Sequence, residues 1–183
     1  MKKTKYEIEI RGTTPLLPHK FGGIGESKAL KELPDSEQAE RVTYRDKNGL
    51  LAIPVTNMRA CIIEAFYDTA GKSQKTATKK KVAPRIRVLS TDDDPLNLTL
   101  STQEYEIDKR SFSAGGRSGG IRDFVVRPII REWKTSFTLA STVDISDADL
   151  EYTLGFAGSD VGVCSNRING YGRFEVTSFK REE

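Results

Sequence analysis

Residues Lys5 to Arg11 alternate without a break: Tyr6, Ile8 and Ile10 are apolar, while Glu7, Glu9 and Arg11 are charged. Side chains of a strand point to opposite faces with period two, so this segment demands a sheet with one covered and one wet face. What covers it must be read elsewhere in the chain. The strongest candidate is a helix from Thr56 to Gly71, in which Met58, Cys61, Ile62, Ala65 and Phe66 recur at helical spacing. Thr56 serves as its N-cap and Gly71 as its stop. The stripe makes Cys61 a buried apolar residue rather than a nucleophile. A second helix, Asp147 to Ala157, opens on Ser146 as N-cap, with Asp149 completing a capping box, and presents Leu150, Leu154 and Ala157.

Strands are expected at Leu50 to Ile53, closed by Pro54, and at 85–89, 96–100, Glu104 to Asp108, Phe124 to Ile130, Trp133 to Ser141 and Arg173 to Phe179. Segments 85–89 and 96–100 would pair around the acidic turn Asp92 to Pro95. Phe124–Ile130 and Trp133–Ser141 would be joined around Arg131 and Glu132, with Pro128 placing the first at an edge or a bulge. Ser111 to Gly120 reads as a flexible glycine and serine loop carrying Arg117. Thr13 to Asn48 is a long excursion with one helical turn around Asp35 to Arg41. Without the excursions the order is strand, helix, strand, strand, helix, strand. The expectation is one α+β domain over 1–183, with a ferredoxin-like (RRM-like) antiparallel sheet, two helices on one face and basic insertions at about 13–49 and 72–123. RNA-recognition modules hold single strands on the open face of such a sheet.

Composition removes several chemistries. Two cysteines, Cys61 and Cys164, make neither a disulfide framework nor a Cys-rich zinc site, and a single His19 excludes most histidine-based metal and triad chemistry. No metal and no cofactor are expected. No apolar run reaches the ~18 residues of a membrane helix, and Glu7 and Glu9 interrupt any signal-like stretch, so a cytoplasmic protein with no membrane partner is expected.

The net charge of +3 on 183 residues says little about an anionic partner, but its distribution says more. Lys72, Lys75, Lys79, Lys80, Lys81, Arg85 and Arg87 stand in a stretch without acids, Gly71 to Leu89. Asp92, Asp93, Asp94, Glu104, Glu106 and Asp108 follow without a base. Lys109, Arg110, Arg117, Arg122, Arg127, Arg131 and Lys134 then outnumber Asp123 and Glu132, and Asp144 to Asp160 is acidic again. Such blocks let a nearly neutral chain present a positive face, since a polyanion responds to the field within a Debye length of ~8 Å. Read blandly, they are solvated loops.

Three local sequences stand in a suggestive order: EIRGTTPLLPHK after the first strand, AIPVTNMRACIIEAF leading into the first long helix, and GVCSNRINGYGRFEV before the last strand. Together they resemble the RAMP superfamily of CRISPR-associated proteins, especially the repeated backbone subunit that coats the guide RNA; small proteins of phages and mobile elements look similar. The resemblance implies a subunit that binds single-stranded nucleic acid, with guide RNA first and DNA as an alternative. It implies assembly along the strand with copies of itself, in a filament or ring, and with other effector-complex subunits. The nucleic-acid-binding candidates are Asn57, Arg59, Lys79, Lys80, Lys81, Arg110, Arg117, Arg122, Arg167, Gly170, Tyr171 and Arg173. Glycines allow close approach to a sugar-phosphate, free amides form an anion nest, and arginines add bidentate phosphate contacts. Tyr171 is the favoured stacking platform, ahead of Tyr44 and Tyr105, while Trp133 also suits a core position.

Some RAMP relatives cut RNA, and here the catalytic candidates are His19 and Asp35. A lone histidine beside Pro18 and Lys20 equally suits a surface residue or a phosphate contact, so an enzyme is the weaker expectation. The alternatives to a guide-binding subunit are an endoribonuclease of the same kind and a phage-encoded protein, either a single-strand DNA or RNA coat or a CRISPR-inhibiting mimic.

Overall fold

The structure is a computed structural model that describes residues 4–20, 26–69, 80–114 and 121–182, with the backbone alone at 26–28, 112–114 and 121–123. Its sheet is built on β1 (Thr4–Gly12), whose Tyr6, Ile8 and Ile10 are buried while Glu7, Glu9 and Arg11 are exposed. The alternation in the sequence is therefore the division between core and solvent. β1 lies between β7 (Lys134–Ser141) and β8 (Phe174–Arg181), and β3 (Ile86–Ser90) closes the far edge. The order β3-β7-β1-β8, antiparallel throughout, is consistent with a ferredoxin-like arrangement.

Helices α3 (Val55–Thr69) and α4 (Asp147–Phe156) supply the cover. Met58, Cys61, Ile62, Ala65 and Phe66 of α3, and Leu150 and Leu154 of α4, join Ile8, Ile10, Ile86, Phe137 and Leu139 in one core. Burying a side chain of this size stabilises the fold by about 1.5–3 kcal/mol. Ser146 caps α4 as expected, its Oγ accepting from Asp149 N at 3.1 Å. α3 corrects its own cap: the helix starts at Val55, directly after β2 (Ala52–Pro54), so Thr56 lies inside the first turn.

Two strand pairings also depart from the sequence reading. β3 pairs with β7, whereas β4 (Asn97–Thr99) pairs with β2, so the segments flanking the acidic turn do not meet each other. Asp94 explains the turn: its carboxylate accepts from Leu96 N, Lys47 N and Asn97 Nδ2, which directs the chain toward β2 rather than back along β3. β5 (Glu106–Ala114) and β6 (Ile121–Ile129) form a hairpin of their own, so β6 and β7 lie in different sheets despite their closeness in sequence. Residues 111–114 of the expected loop 111–120 belong instead to β5; Arg117 lies outside the described residues. Pro128 sits opposite Ile107 in a two-stranded ribbon, where every strand is an edge and a missing amide is tolerated.

The excursion after β1 holds α1 (Glu26–Lys31), which the sequence did not announce, and α2 (Asp35–Arg41), which it did. α2 packs on the hairpin. Trp133 then ties the excursion's first residues to the core. Its indole lies over Gly12, where a β-carbon would come within 2.1 Å of Nε1, and Nε1 donates to Thr14 O at 3.0 Å. Among the described residues no helix is long and apolar enough to cross a membrane.

Candidate nucleic-acid interface

The sheet's open face can be assembled from the register. Its rows carry Arg87, Ala140 and Lys5, then Leu89, Thr138, Glu7 and Lys180, then Ser136, Glu9 and Ser178, and finally Lys134, Arg11 and Glu175. No aromatic side chain lies in these rows, since Tyr6, Phe137 and Phe179 belong to the opposite, helix-covered register. Base stacking on a sheet, the means by which RNA-recognition modules grip a strand, has no platform here. The interface has to be sought at the edge.

That edge is the glycine-rich segment before β8. Gly172 adopts φ +70°, and a β-carbon there would lie 2.0 Å from Val163 O, so only glycine fits. Main-chain bonds then stitch the segment to the loop after β1: Gly172 N donates to Pro15 O, Ser165 N to Leu17 O, and Thr13 N to Arg173 O. Thr14 adds its hydroxyl, which accepts from Arg173 N at 2.9 Å. Thus the first and third of the three suggestive sequences form one unit.

The hairpin base completes a cleft of about 380 Å³ against that unit, lined by Thr14 and Pro15, by Glu106, Asp108, Arg110 and Arg131, and by Asn169, Gly170 and Tyr171. The volume lies within the ~300–1,000 Å³ range of ligand sites. Arg110 places its guanidinium over the Tyr171 ring, 4.8 Å from the centroid, and donates from Nε to Asp108 Oδ1 at 2.6 Å. The Tyr171 hydroxyl and the Asp108 carboxylate both raise the pKa of Arg110, so it remains a cation. Arg131 forks onto Glu106 with two bonds of 2.8 Å, and holds that carboxyl below its ordinary pKa.

These contacts correct the expectation of a strongly positive face for the second basic block; of the first, Lys72, Lys75 and Lys79 lie outside the described residues. β5 opens with Glu106 and Asp108, and the register sets Asp108 directly opposite Arg127. The acidic block and the basic block that follows it are thereby folded onto each other: Asp108 takes both Arg110 and Arg127, Glu106 takes Arg131, and Asp35 of α2 takes Lys109 at 2.9 Å. Cations of the other block remain open, since Lys80, Lys81, Arg85 and Arg87 are exposed without an ion pair among the described residues.

Of the candidates named from sequence, Arg110, Gly170 and Tyr171 meet in the cleft. Arg167 and Arg173 belong to the same loop, Arg167 pairing with Glu64 of α3 at 3.2 Å and Arg173 donating from Nη2 to Arg167 O at 3.1 Å. Nη1 of Arg173 is buried and has no partner among the described residues. Asn57 reaches the loop from α3, donating toward Cys164 Sγ at 3.8 Å. Arg59 points elsewhere: its guanidinium donates to the carbonyls of Ala83 and Ile86 and clasps the turn before β3. Lys80 and Lys81 lie just before that turn, away from the cleft. Lys79 is outside the described residues, and Arg122 is placed on β6 by its backbone only. Sequence reading passed over Arg131, Glu106, Asp108, Thr14 and Asn169. The alternation of Glu106, Asp108 and Arg110 along one strand face was the available signal.

The remaining candidates are engaged in structure. Asp35 is held by Lys109. His19 is half-buried, and burial followed by the charge of Arg127 lowers its pKa, so the imidazole is neutral at physiological pH. Tyr105 donates to Glu40, Tyr44 donates to His19 O, and Trp133 is a core residue. Burial pushes the thiols of Cys61 and Cys164 up to about 12, so neither is a thiolate near neutrality.

No family model and no curated protein matches the chain. Solved structures do. A chain of the Type III-B Cmr-beta complex, determined by cryo-EM bound to cognate target RNA, superposes with a TM-score of 0.59 over 100% of this chain at 13% identity. The match spans 61% of the length of that neighbour. Cmr6 from Pyrococcus furiosus gives a TM-score of 0.46 at 10% identity, over 96% of this chain and 99% of its own. The first likeness shows the fold: this chain shares the α+β architecture of that Cmr-beta chain.

Proposed function

We propose that this chain is a single-stranded RNA-binding subunit of a CRISPR-type ribonucleoprotein, lying along the strand beside copies of itself or other subunits. The observation that carries the reading is the cleft, where the loop after β1, the glycine segment and the hairpin base converge on Arg110, Arg131 and Tyr171. Each contributes something a splayed strand needs: close backbone approach, guanidinium groups for phosphates and a ring for a base. The likeness to a chain from an RNA-bound complex supports the same direction. Candidates away from the cleft, Lys80 and Lys81 above all, extend the path of the phosphates in this reading.

Binding of single-stranded RNA at low salt, followed across a salt series, tests the proposal. With three or four phosphates engaged, the logarithm of the affinity should fall with that of salt at a slope of about −2 to −3, as counterion release gives ~0.7 per phosphate on a single strand. Absence of RNA retention at low salt would end the reading, and a clear preference for single-stranded DNA would redirect it to the coat-protein alternative.

A further inference from the structure

Among the described residues Tyr171 is the one aromatic lining the cleft, yet a face of its ring is already covered by the Arg110 guanidinium. Arg110 is a planar cation, and over an aromatic ring it occupies the position a nucleobase would take. It is also tethered behind: Nε bonds Asp108, whose second oxygen holds Arg127. About two fifths of the Arg110 side chain is exposed, against 9% for that of Asp108, so the guanidinium is open to solvent while the carboxylate that holds it is buried.

We propose that Arg110 is a lid on a nucleobase platform. In the free protein it covers Tyr171; when a single strand enters, an unstacked base displaces the guanidinium from the ring, and Arg110 transfers its charge to a neighbouring phosphate. The inference rests on the reading of the cleft as an RNA site and deepens it. It assigns the ligand that Tyr171 takes, an unstacked base, and it explains why a cation is parked where a base should stack. In the exchange the cation–π contact and the hydrogen bond with the Tyr171 hydroxyl give way to base–ring stacking and a charge-assisted phosphate bond, while Nε keeps its bond to Asp108.

The experiment compares two RNA oligonucleotides of equal length, one normal and one abasic at its central nucleotides, against the wild-type chain, Arg110→Ala and Tyr171→Ala. The readout is the ratio of the two affinities, which reports base stacking and cancels most of the phosphate contribution. In the wild type the normal strand should bind at least about fivefold more tightly, the lower end of base–aromatic stacking. Tyr171→Ala should bring the ratio close to one. Arg110→Ala should raise it by about twofold to fivefold, because no cation–π interaction has to be displaced. The same variant should make the salt slope shallower by about 0.7, since one fewer phosphate is neutralised. A fall of the ratio in Arg110→Ala to the Tyr171→Ala value would overturn the lid and make Arg110 half of a clamp. An unchanged ratio would overturn it too, by placing the base on the ring's other face. A wild-type ratio near one with normal RNA affinity would remove the platform and leave the RNA reading intact, while no affinity for either strand removes the RNA reading itself. Tyr171→Phe, which keeps the ring but loses the hydroxyl that also meets Arg110, should give a ratio at or above the wild-type value and so distinguishes absent stacking from a damaged loop.

Discussion

The two walls of the cleft are held by different forces. On the hairpin, Lys109, Arg110, Arg127 and Arg131 each face a carboxylate, and the wall is a lattice of ion pairs. On the glycine segment the ties are chiefly main-chain hydrogen bonds to Pro15, Leu17 and Val163; Arg173 bonds a carbonyl, and the ion pair of Arg167 with Glu64 is exposed. One wall is therefore fixed by chain conformation, which only certain residues can adopt. The other is fixed by charges, which an incoming polyanion can compete for. A count of basic residues in the sequence could not separate the two, because a cation already matched by an acid adds little to the field felt by RNA.

The most damaging way to break the fixed wall is Gly172→Val. A side chain at φ +70°, within 2.0 Å of Val163 O, forces the backbone out of place and removes the bond to Pro15 O. The expected loss is about 3 kcal/mol or more in urea unfolding, with RNA affinity falling at least tenfold. A neutral outcome would mean that the segment's conformation is not what holds the wall.

The charged wall should give way more gently. Asp108→Asn keeps the shape and the acceptor oxygen but leaves Arg127, itself buried, with a weaker partner. We expect a loss of about 1–2 kcal/mol, since a neutral hydrogen bond replaces a charge-assisted one. Hydrogen exchange should rise in β5 and β6 and stay unchanged at residues 163–172. Equal loss in both walls would show that they form one cooperative unit.

How legible these walls were from the residues alone follows the same division. β1, β8, α3 and α4 were readable because burial imposes a period: Ile8 and Ile10 on the strand, Met58, Ile62 and Ala65 on the helix. The glycine segment was readable because Gly170 and Gly172 mark backbone that other residues avoid. The hairpin was not. Glu106 and Asp108 carry no apolar period, and their partners Arg131 and Arg127 lie about twenty residues further along, so an ion-pair ribbon looked like two opposed charge blocks. Arg59 misled for a related reason, since the helix stripe shows which face is buried but not which carbonyls an arginine beside it will reach.

A smaller perturbation sharpens the contrast by adding charge instead of removing structure. Glu106→Gln frees Arg131 from its fork while keeping the side chain's size. Both side chains are exposed, and solvent screens such a pair, so the urea midpoint should fall only slightly below the parent's. RNA affinity at low salt should rise by a few fold and the salt slope steepen by about 0.7, as one more phosphate is neutralised. If neither changes, Arg131 does not face the strand.

The mildest test is pH, which acts chiefly on one wall. Glu106 is held below the ordinary carboxylate value by its hydrogen bonds to Arg131, and Glu40, beside the hairpin, is held low first by Arg45 and also by the Tyr105 hydroxyl. A carboxyl whose folded pKa is depressed stabilises the fold at every pH above its unfolded value of about 4.3, and that contribution is lost as pH falls through the lower folded value. The hairpin should thus be indifferent to pH between about 8 and 5 and loosen only below about 4. The glycine segment's ties, Gly172 N to Pro15 O, Ser165 N to Leu17 O and Val163 N to Gly172 O, contain no titrating group. Amide exchange corrected for its intrinsic rate should therefore accelerate a few fold in β5 and β6 between about pH 7 and pH 3, with residues 163, 165 and 172 lagging behind. Parallel acceleration in both walls would mean that acid loosens the shared core around Trp133 rather than the ion pairs, and the division between a wall of charge and a wall of conformation would fail.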